Sequence, residues 1–167
     1  MTVYHGSTVI VSAPLVGVGR QNLDFGPGFY VTDLRQQAIS WATRPLNAGK
    51  TKILNIYEID LDGIVTGCYN YKKFAAYDTE WLDFVIANRR GEQVWKGYDI
   101  IEGGIANDRV FNTIELYDAG LITKEVALER LRYEQPNNQI CILNQAIVDS
   151  HLHFMEAVTL EKEVHNG

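Results

Sequence analysis

The sequence predicts a single α+β domain. Segments with strand and helix patterns follow one another in irregular order, without the βαβ alternation that a doubly wound parallel sheet requires. The chain has 167 residues, of which 46% are hydrophobic, and this length and composition suit one packed core. We therefore assign residues 1–167 to one domain and expect 160–167 to be a frayed tail.

Short apolar or alternating runs predict strands at 2–12, 29–32, 52–61, 97–102, 139–143 and 151–158. Helices are predicted after three capping residues, Asp33, Asp78 and Thr123. We expect these helices to end before Pro45, at Arg90 and at Tyr133. Two pairs, Asp62-Gly63 and Gly103-Gly104, are expected to form turns that end the preceding strands.

Composition disfavours two classes of protein, non-specific nucleic-acid binders and membrane proteins. Fifteen basic residues stand against 21 acids, so the net charge of −6 does not favour non-specific nucleic-acid binding. A local basic cleft is still compatible with the cluster Arg35, Arg44, Lys50 and Lys52. The sequence contains no apolar run long enough to span a bilayer, and it has two cysteines. The first residues lack a basic segment, so we expect no signal peptide. We expect a cytoplasmic protein with reduced thiols and no membrane partner.

The stretch 24–32 contains the clearest functional signal. Gly26-Pro27-Gly28 allows a tight turn, and an aromatic strand follows at once. Tyr30 is thereby fixed on a rigid element beside a glycine loop that a flat ligand could approach closely. A metal site is a competing interpretation: Asp149, His151 and His153 would share one strand face if that segment were extended.

Two segments, Tyr4-His5-Gly6-Ser7 and Phe25-Gly-Pro-Gly-Phe-Tyr30, together resemble the first two signature elements of the ADP-ribosyltransferase superfamily. The resemblance is to its histidine-tyrosine branch, which includes poly(ADP-ribose) polymerases and diphtheria toxin. The chain from 2 to 155 also resembles an uncharacterised bacterial family placed in that superfamily, through motifs at 81–84, 98–103, 107–111 and 138–141. The resemblance implies a split β-sandwich of two short sheets with flanking helices.

The resemblance also implies NAD+ as a substrate. We expect no metal, because no further cluster of ligands accompanies Asp149, His151 and His153. His5 is expected to bind a ribose hydroxyl, and Gly6 and Ser7 the nicotinamide carboxamide. Tyr30 is expected to stack on the nicotinamide ring beside Gly28, and Arg20 to contact the pyrophosphate.

The third element of that superfamily is a strand with a catalytic glutamate, and Gln139 stands at the matching position. Three alternatives remain open. Gln139 supports a slow or specialised transferase, another carboxylate such as Glu102 or Asp108 supplies the charge, or the domain binds NAD+ without turnover.

The resemblance therefore implies a mono-ADP-ribosyltransferase that releases nicotinamide, of the kind found among bacterial toxins. Its acceptor is not specified, and the excess of acids favours a protein over nucleic acid. An antitoxin-like partner would fit that role. The alternative is a non-catalytic NAD+-binding or protein-interaction module.

Overall fold

The computed structural model describes residues 1–19 and 22–160. The described strands are β1 Thr2–Ser7, β2 Phe29–Val31, β3 Ile53–Ile59, β4 Tyr71–Lys73, β5 Ile100–Gly104, β6 Asn138–Ile142 and β7 Leu152–Thr159. The described helices are α1 Arg35–Ala42, α2 Leu61–Thr66, α3 Thr79–Arg89, α4 Asp108–Asp118, α5 Lys124–Leu131 and α6 Gln145–His151. The predicted α+β class is confirmed.

The strands form two small sheets. One has the order β1-β3-β7 and is antiparallel, and the other has the order β2-β6-β5-β4, in which β4 and β5 are parallel. An isolated bridge between Tyr4 and Thr32 connects the sheets, with N···O distances of 2.8 and 3.0 Å. The first two strands of the chain therefore meet at one point while belonging to different sheets.

The four-stranded sheet is covered on both faces. Phe29, Ile100 and Ile140 belong to a core shared with the three-stranded sheet and α6. On the opposite face, Ile101 and Cys141 belong to a second core that is filled by α3, α4 and α5. This double burial explains why the three residues 140–142 of β6 are apolar on both faces of the sheet.

Two of the predicted helix starts are confirmed by side-chain caps. Asp78 accepts a hydrogen bond from the Trp81 amide, and Thr123 accepts one from the Val126 amide. At the first helix the prediction is wrong, because Leu34 occupies the N-cap position. Thr32 Oγ1 accepts from the Leu34 amide at 3.1 Å.

Several predicted boundaries are also wrong. Asp62-Gly63 lies inside α2, since the Asp60 carboxylate caps that helix through the Gly63 amide. Gly103-Gly104 continues β5, where it pairs with Gln139 and Asn138. Helix α5 ends at Leu131, two residues before the predicted end at Tyr133. Helix α1 ends at Ala42, before Pro45 as predicted, and Pro45 begins a short 3-10 helix.

Four elements, α2, β4, α4 and α6, were not among the predicted elements. Because α6 ends at His151, Asp149 and His151 lie on a helix and His153 on β7, so the common strand face required for the metal interpretation does not exist. No group of three potential metal ligands occurs within 1–19 and 22–160.

Two sequence-based predictions lie wholly or mostly outside the described residues: Arg20 and the tail at 160–167. Of that tail, Leu160 is described, and its amide donates to the Lys52 carbonyl at 2.8 Å. None of the described helices has the length and hydrophobicity needed to cross a bilayer.

Candidate functional site

A cleft of about 420 Å³ lies between β1 of one sheet and β2 of the other, next to the bridge between Tyr4 and Thr32. His5 and Gly6 of β1, Tyr30 of β2 and Gln139 of β6 all line it. These four were predicted as site residues, and the fold brings them together from three distant parts of the chain. The remaining lining residues are Leu23, Asp24, Trp41, Arg44, Arg89 and Ala106.

His5 is held in one orientation and one tautomer. Its Nδ1 lies 2.7 Å from the Tyr30 carbonyl oxygen, which only accepts, so Nδ1 carries the proton. The imidazole packs against the ring of Phe29 with centroids 4.5 Å apart. Burial lowers the pKa of His5, and Arg44 lowers it further. Neutral His5 therefore presents Nε2 as a hydrogen-bond acceptor.

Tyr30 is anchored at its phenol end by the glycine loop. Its hydroxyl donates to the Gly26 carbonyl at 2.6 Å and accepts from the Phe25 amide at 3.2 Å. Burial, with a smaller contribution from Cys141, raises the pKa of Tyr30 well above its ordinary value. The phenol therefore stays protonated, and the ring serves as a fixed wall of the cleft.

Gln139 lies on the same face of the four-stranded sheet as Tyr30. Tyr30 pairs with Cys141, which is two residues beyond Gln139 on β6, and alternation places both side chains on that face. Gln139 is 6% exposed, and its Nε2 donates to the Gly104 carbonyl at 3.5 Å. With the amide nitrogen so engaged, the Oε1 atom is available as an acceptor.

Gly6 allows helix α1 to pack directly on β1. A Cβ atom at this position would lie 1.8 Å from the Ala38 carbonyl oxygen. The sequence interpretation explained Gly6 by close approach of a ligand, and the structure shows a close approach of helix backbone. Packing of α1 here also brings Trp41 to the cleft, with its ring centroid 6.2 Å from that of His5.

Three charged side chains among the described residues line the cleft, and two of them are paired. Arg89 Nε lies 2.7 Å from Asp24 Oδ1, and Arg89 NH1 lies 3.5 Å from Glu115 Oε1. The Arg89 guanidinium also covers the Phe111 ring at 4.7 Å. Arg44 is exposed and makes no ion pair with any residue in the described parts of the chain. Arg44 is thus the cation best placed to receive an anionic ligand.

The structure places other predicted site residues outside this lining. Ser7 Oγ accepts from the Val9 amide at 3.3 Å, and Gly28 packs against β6, where a Cβ would lie 2.5 Å from Cys141 Sγ. Asp108 is exposed at the start of α4.

Glu102 requires a correction. It pairs with Ile140 on β5 and β6 and is 5% exposed, on the sheet face opposite Gln139. Its carboxylate accepts from Asn138 Nδ2 at 2.8 Å and from the Tyr71 hydroxyl. Glu102 is therefore a buried structural group that does not face the cleft.

Sequence reasoning missed Asp24, Trp41, Arg44 and Arg89 as site residues. Arg44 was named only within a possible basic cleft and Asp24 only as the first residue of the stretch 24–32, and neither Trp41 nor Arg89 was assigned a role in the site. The available signal was weak, because Arg44 lies beyond the end of α1 at Ala42 and no helical spacing relates it to Trp41.

Residues 1–154 match the family described as "Protein of unknown function (DUF3990)". The chain belongs to this family. No curated protein and no solved structure matches it. All residues that line the cleft fall within the DUF3990 match, as do both sheets except for the end of β7.

Proposed function

We propose that the chain binds NAD+ in this cleft and transfers ADP-ribose to an acceptor, with release of nicotinamide. The observation that carries the proposal is the convergence of His5, Tyr30 and Gln139 on one cleft. These residues are 25 and 109 positions apart in the sequence (30 − 5 and 139 − 30), so local structure does not account for their meeting.

We propose further that the architecture is an ADP-ribosyltransferase-like split β-sandwich. Two sheets of three and four strands face each other and are bridged at Tyr4 and Thr32. The cleft opens beside that bridge. At this point the two strands are joined by the hydrogen bond from the His5 side chain to the Tyr30 carbonyl and no longer by backbone pairing. This placement supports the proposed fold, because the ligand would enter where the two sheets separate.

The binding roles follow from the donors and acceptors in the cleft. Neutral His5 accepts a hydrogen bond from a ribose hydroxyl through Nε2. The fixed ring of Tyr30 stacks on nicotinamide, which contributes about 0.5–1.5 kcal/mol beyond burial. The backbone of Gly6 pairs with the carboxamide. Arg44 takes the pyrophosphate role that the sequence interpretation gave to Arg20.

In the proposed reaction, the bond between ribose C1′ and the nicotinamide ring nitrogen breaks. The electron pair of this bond leaves with nicotinamide, and positive charge develops on the ribose. A nucleophilic atom of the acceptor then bonds to C1′ and loses its proton. Gln139 Oε1 accepts a hydrogen bond from a ribose hydroxyl and so orients the sugar, but it contributes no formal charge.

The neutral amide of Gln139 favours a second candidate function. Loss of one preorganised electrostatic contact lowers a rate by about 10²–10³. A domain with glutamine at this position would then hold NAD+ without significant turnover and act as a binding or interaction module. The transferase proposal has three further parts. We propose that the acceptor is a protein, that the chain acts as a bacterial toxin-type effector with an antitoxin-like partner, and that it is located in the cytoplasm.

The decisive experiment uses NAD+ labelled on the nicotinamide ring. Binding is measured by calorimetry and free nicotinamide by chromatography, for the wild type, His5→Ala, Tyr30→Ala and His153→Ala. His153 is exposed on β7 and outside the cleft lining, so its variant is the control. We expect the first two variants to bind NAD+ at least tenfold more weakly and the control to behave like wild type.

Binding with nicotinamide release supports the transferase, and binding without release supports the binding module. Absence of NAD+ binding by the wild type contradicts both. Normal binding by both His5→Ala and Tyr30→Ala would show that NAD+ occupies another site.

A further inference from the structure

The cleft contains one carboxylate among the described residues that line it, and this carboxylate belongs to Asp24. Gln139 is neutral, Glu102 lies on the opposite sheet face, and Asp108 is exposed at the start of α4. Among the described residues, the negative charge presented directly to a ligand here therefore comes from Asp24. The sequence interpretation included Asp24 only as the first residue of the stretch 24–32 and assigned no role to its carboxylate.

Asp24 is fixed at the phenol end of Tyr30. The next two residues in the chain, Phe25 and Gly26, provide the amide and the carbonyl that hold the Tyr30 hydroxyl. Asn88 Nδ2 donates to the Asp24 carbonyl at 2.9 Å, which ties the same turn to α3. The position of the carboxylate is therefore coupled to the ring that is proposed to stack on nicotinamide.

The Asp24 carboxylate is partly shielded from water and only partly neutralised. Its side chain is 16% exposed, and its Oδ1 accepts from Arg89 Nε at 2.7 Å. Arg89 is shared with Glu115, so the three side chains carry two negative charges and one positive charge. Oδ2 accepts no hydrogen bond from any residue in 1–19 and 22–160. Within the described residues, the three side chains together keep a net negative charge, and Asp24 Oδ2 is open to a ligand donor.

We propose that Asp24 stabilises the positive charge that develops on the ribose during nicotinamide release. Asp24 thereby supplies the negative charge that a glutamate would supply at position 139 and that the neutral Gln139 does not. This inference rests on the proposed function of the cleft. Asp24 is already in place before substrate binds, held by Arg89 and Asn88, so no reorganisation is needed when the charge appears.

The test compares three single variants and one double variant in the NAD+ binding and nicotinamide-release assays. Asp24→Asn removes the charge and keeps an oxygen that can accept from Arg89. Asp118→Asn is the matched control, since Asp118 Oδ1 accepts from Arg90 Nε at the same 2.7 Å but lies away from the cleft. Gln139→Glu and the double variant Asp24→Asn/Gln139→Glu test whether a carboxylate on β6 can substitute.

We expect Asp24→Asn to lower nicotinamide release by about 10²–10³ and to change the Kd for NAD+ by less than about threefold. Asp118→Asn should match wild type in both assays. The double variant should recover at least tenfold of the lost rate. Gln139→Glu should accelerate the wild type by a smaller factor than it accelerates Asp24→Asn, because the two carboxylates act on the same charge.

Two results would overturn the role of Asp24 and leave the transferase proposal intact, provided that the wild type releases nicotinamide. One is an Asp24→Asn variant with more than a third of the wild-type rate. The other is a loss of NAD+ binding in proportion to the loss of rate. A wild type that binds NAD+ without releasing nicotinamide overturns Asp24 as well as the transferase. If Asp24→Asn does not fold, as judged by urea denaturation, Asp24→Ser takes its place with the same thresholds.

Discussion

The Nδ1 atom of His5 donates a hydrogen bond to the main-chain carbonyl of Tyr30 across 2.7 Å, and this contact joins the two sheets beside the cleft. The backbones of β1 and β2 pair at Tyr4 and Thr32, and the imidazole continues the connection one residue further on β1. The same hydrogen bond sets the tautomer of His5. This one hydrogen bond therefore connects the two sheets and also determines that the unprotonated Nε2 is the ring nitrogen available to a ligand.

The lowered pKa of His5 makes stability depend on pH. The folded-state pKa lies below the unfolded value of about 6.5, so the unfolded chain binds more protons in the window below that pH. The free energy of unfolding should therefore fall as pH decreases from about 7 to about 5. We expect a smaller decrease in His5→Asn, which keeps a donor for the Tyr30 carbonyl but does not titrate.

Urea denaturation across that pH range measures this difference. The other three histidines are present in both proteins, so their contribution cancels. Parallel stability curves for wild type and His5→Asn would show that His5 is not the group responsible.

Arg44→Gln should weaken NAD+ binding by about tenfold or more, since a hydrogen bond to a charged group contributes about 1.5–3 kcal/mol. Nicotinamide riboside lacks the pyrophosphate, and its affinity should be unchanged. Calorimetry with both ligands measures the effect. Lys50→Gln is the control, because Lys50 is an exposed cation in the same connection that does not line the cleft. Equal losses for both ligands would contradict the pyrophosphate role of Arg44.

Gly6→Ala should destabilise the fold by about 2–3 kcal/mol or more, because the added Cβ would meet the Ala38 carbonyl at 1.8 Å. Gly97→Ala offers a matched control, since a Cβ there meets no atom within 4 Å. Chemical denaturation gives both values. If Gly6→Ala is as stable as Gly97→Ala, the packing of α1 on β1 described above is incorrect.

The two cysteines should differ in reactivity. Cys68 is exposed, whereas Cys141 is buried under the glycine loop, and burial raises the pKa of its thiol to about 12. The thiolate is the reactive species, so Cys141 is protected by both inaccessibility and protonation. A thiol reagent at about pH 8 should modify one cysteine in the native protein and two after denaturation. Rapid modification of both in the native state would contradict the burial of Cys141.

The strands that carry the site were predictable because their residues show strong local patterns. The aromatic run at 29–31 and the apolar run around Cys141 both form strands in the structure. Asp78 and Thr123 cap helices as the sequence predicts. That His5, Tyr30 and Gln139 share a cleft followed from resemblance and not from any physical property of the individual segments.

The missed features depend on tertiary contacts. Gly103-Gly104 has the composition of a turn, yet its backbone pairs with β6 and continues the strand. Glu102 was a reasonable candidate carboxylate until pairing with Ile140 placed it on the wrong face. Asp24 enters the cleft because Asn88 and Arg89 of α3 hold its turn, and no local pattern reports a contact over 64 residues (88 − 24).

The position of β6 between β2 and β5 has a consequence for the order of folding. Residues 29–31 and 100–104 pair through β6 and not with each other, so neither Tyr30 nor the end of β5 has its neighbour until Asn138–Ile142 has been synthesised and docked. Long-range closure of this kind is slow compared with local helix formation. In a nascent chain, helices α1 to α5 can therefore form before the cleft does, and the cleft is completed only when β6 inserts between β2 and β5.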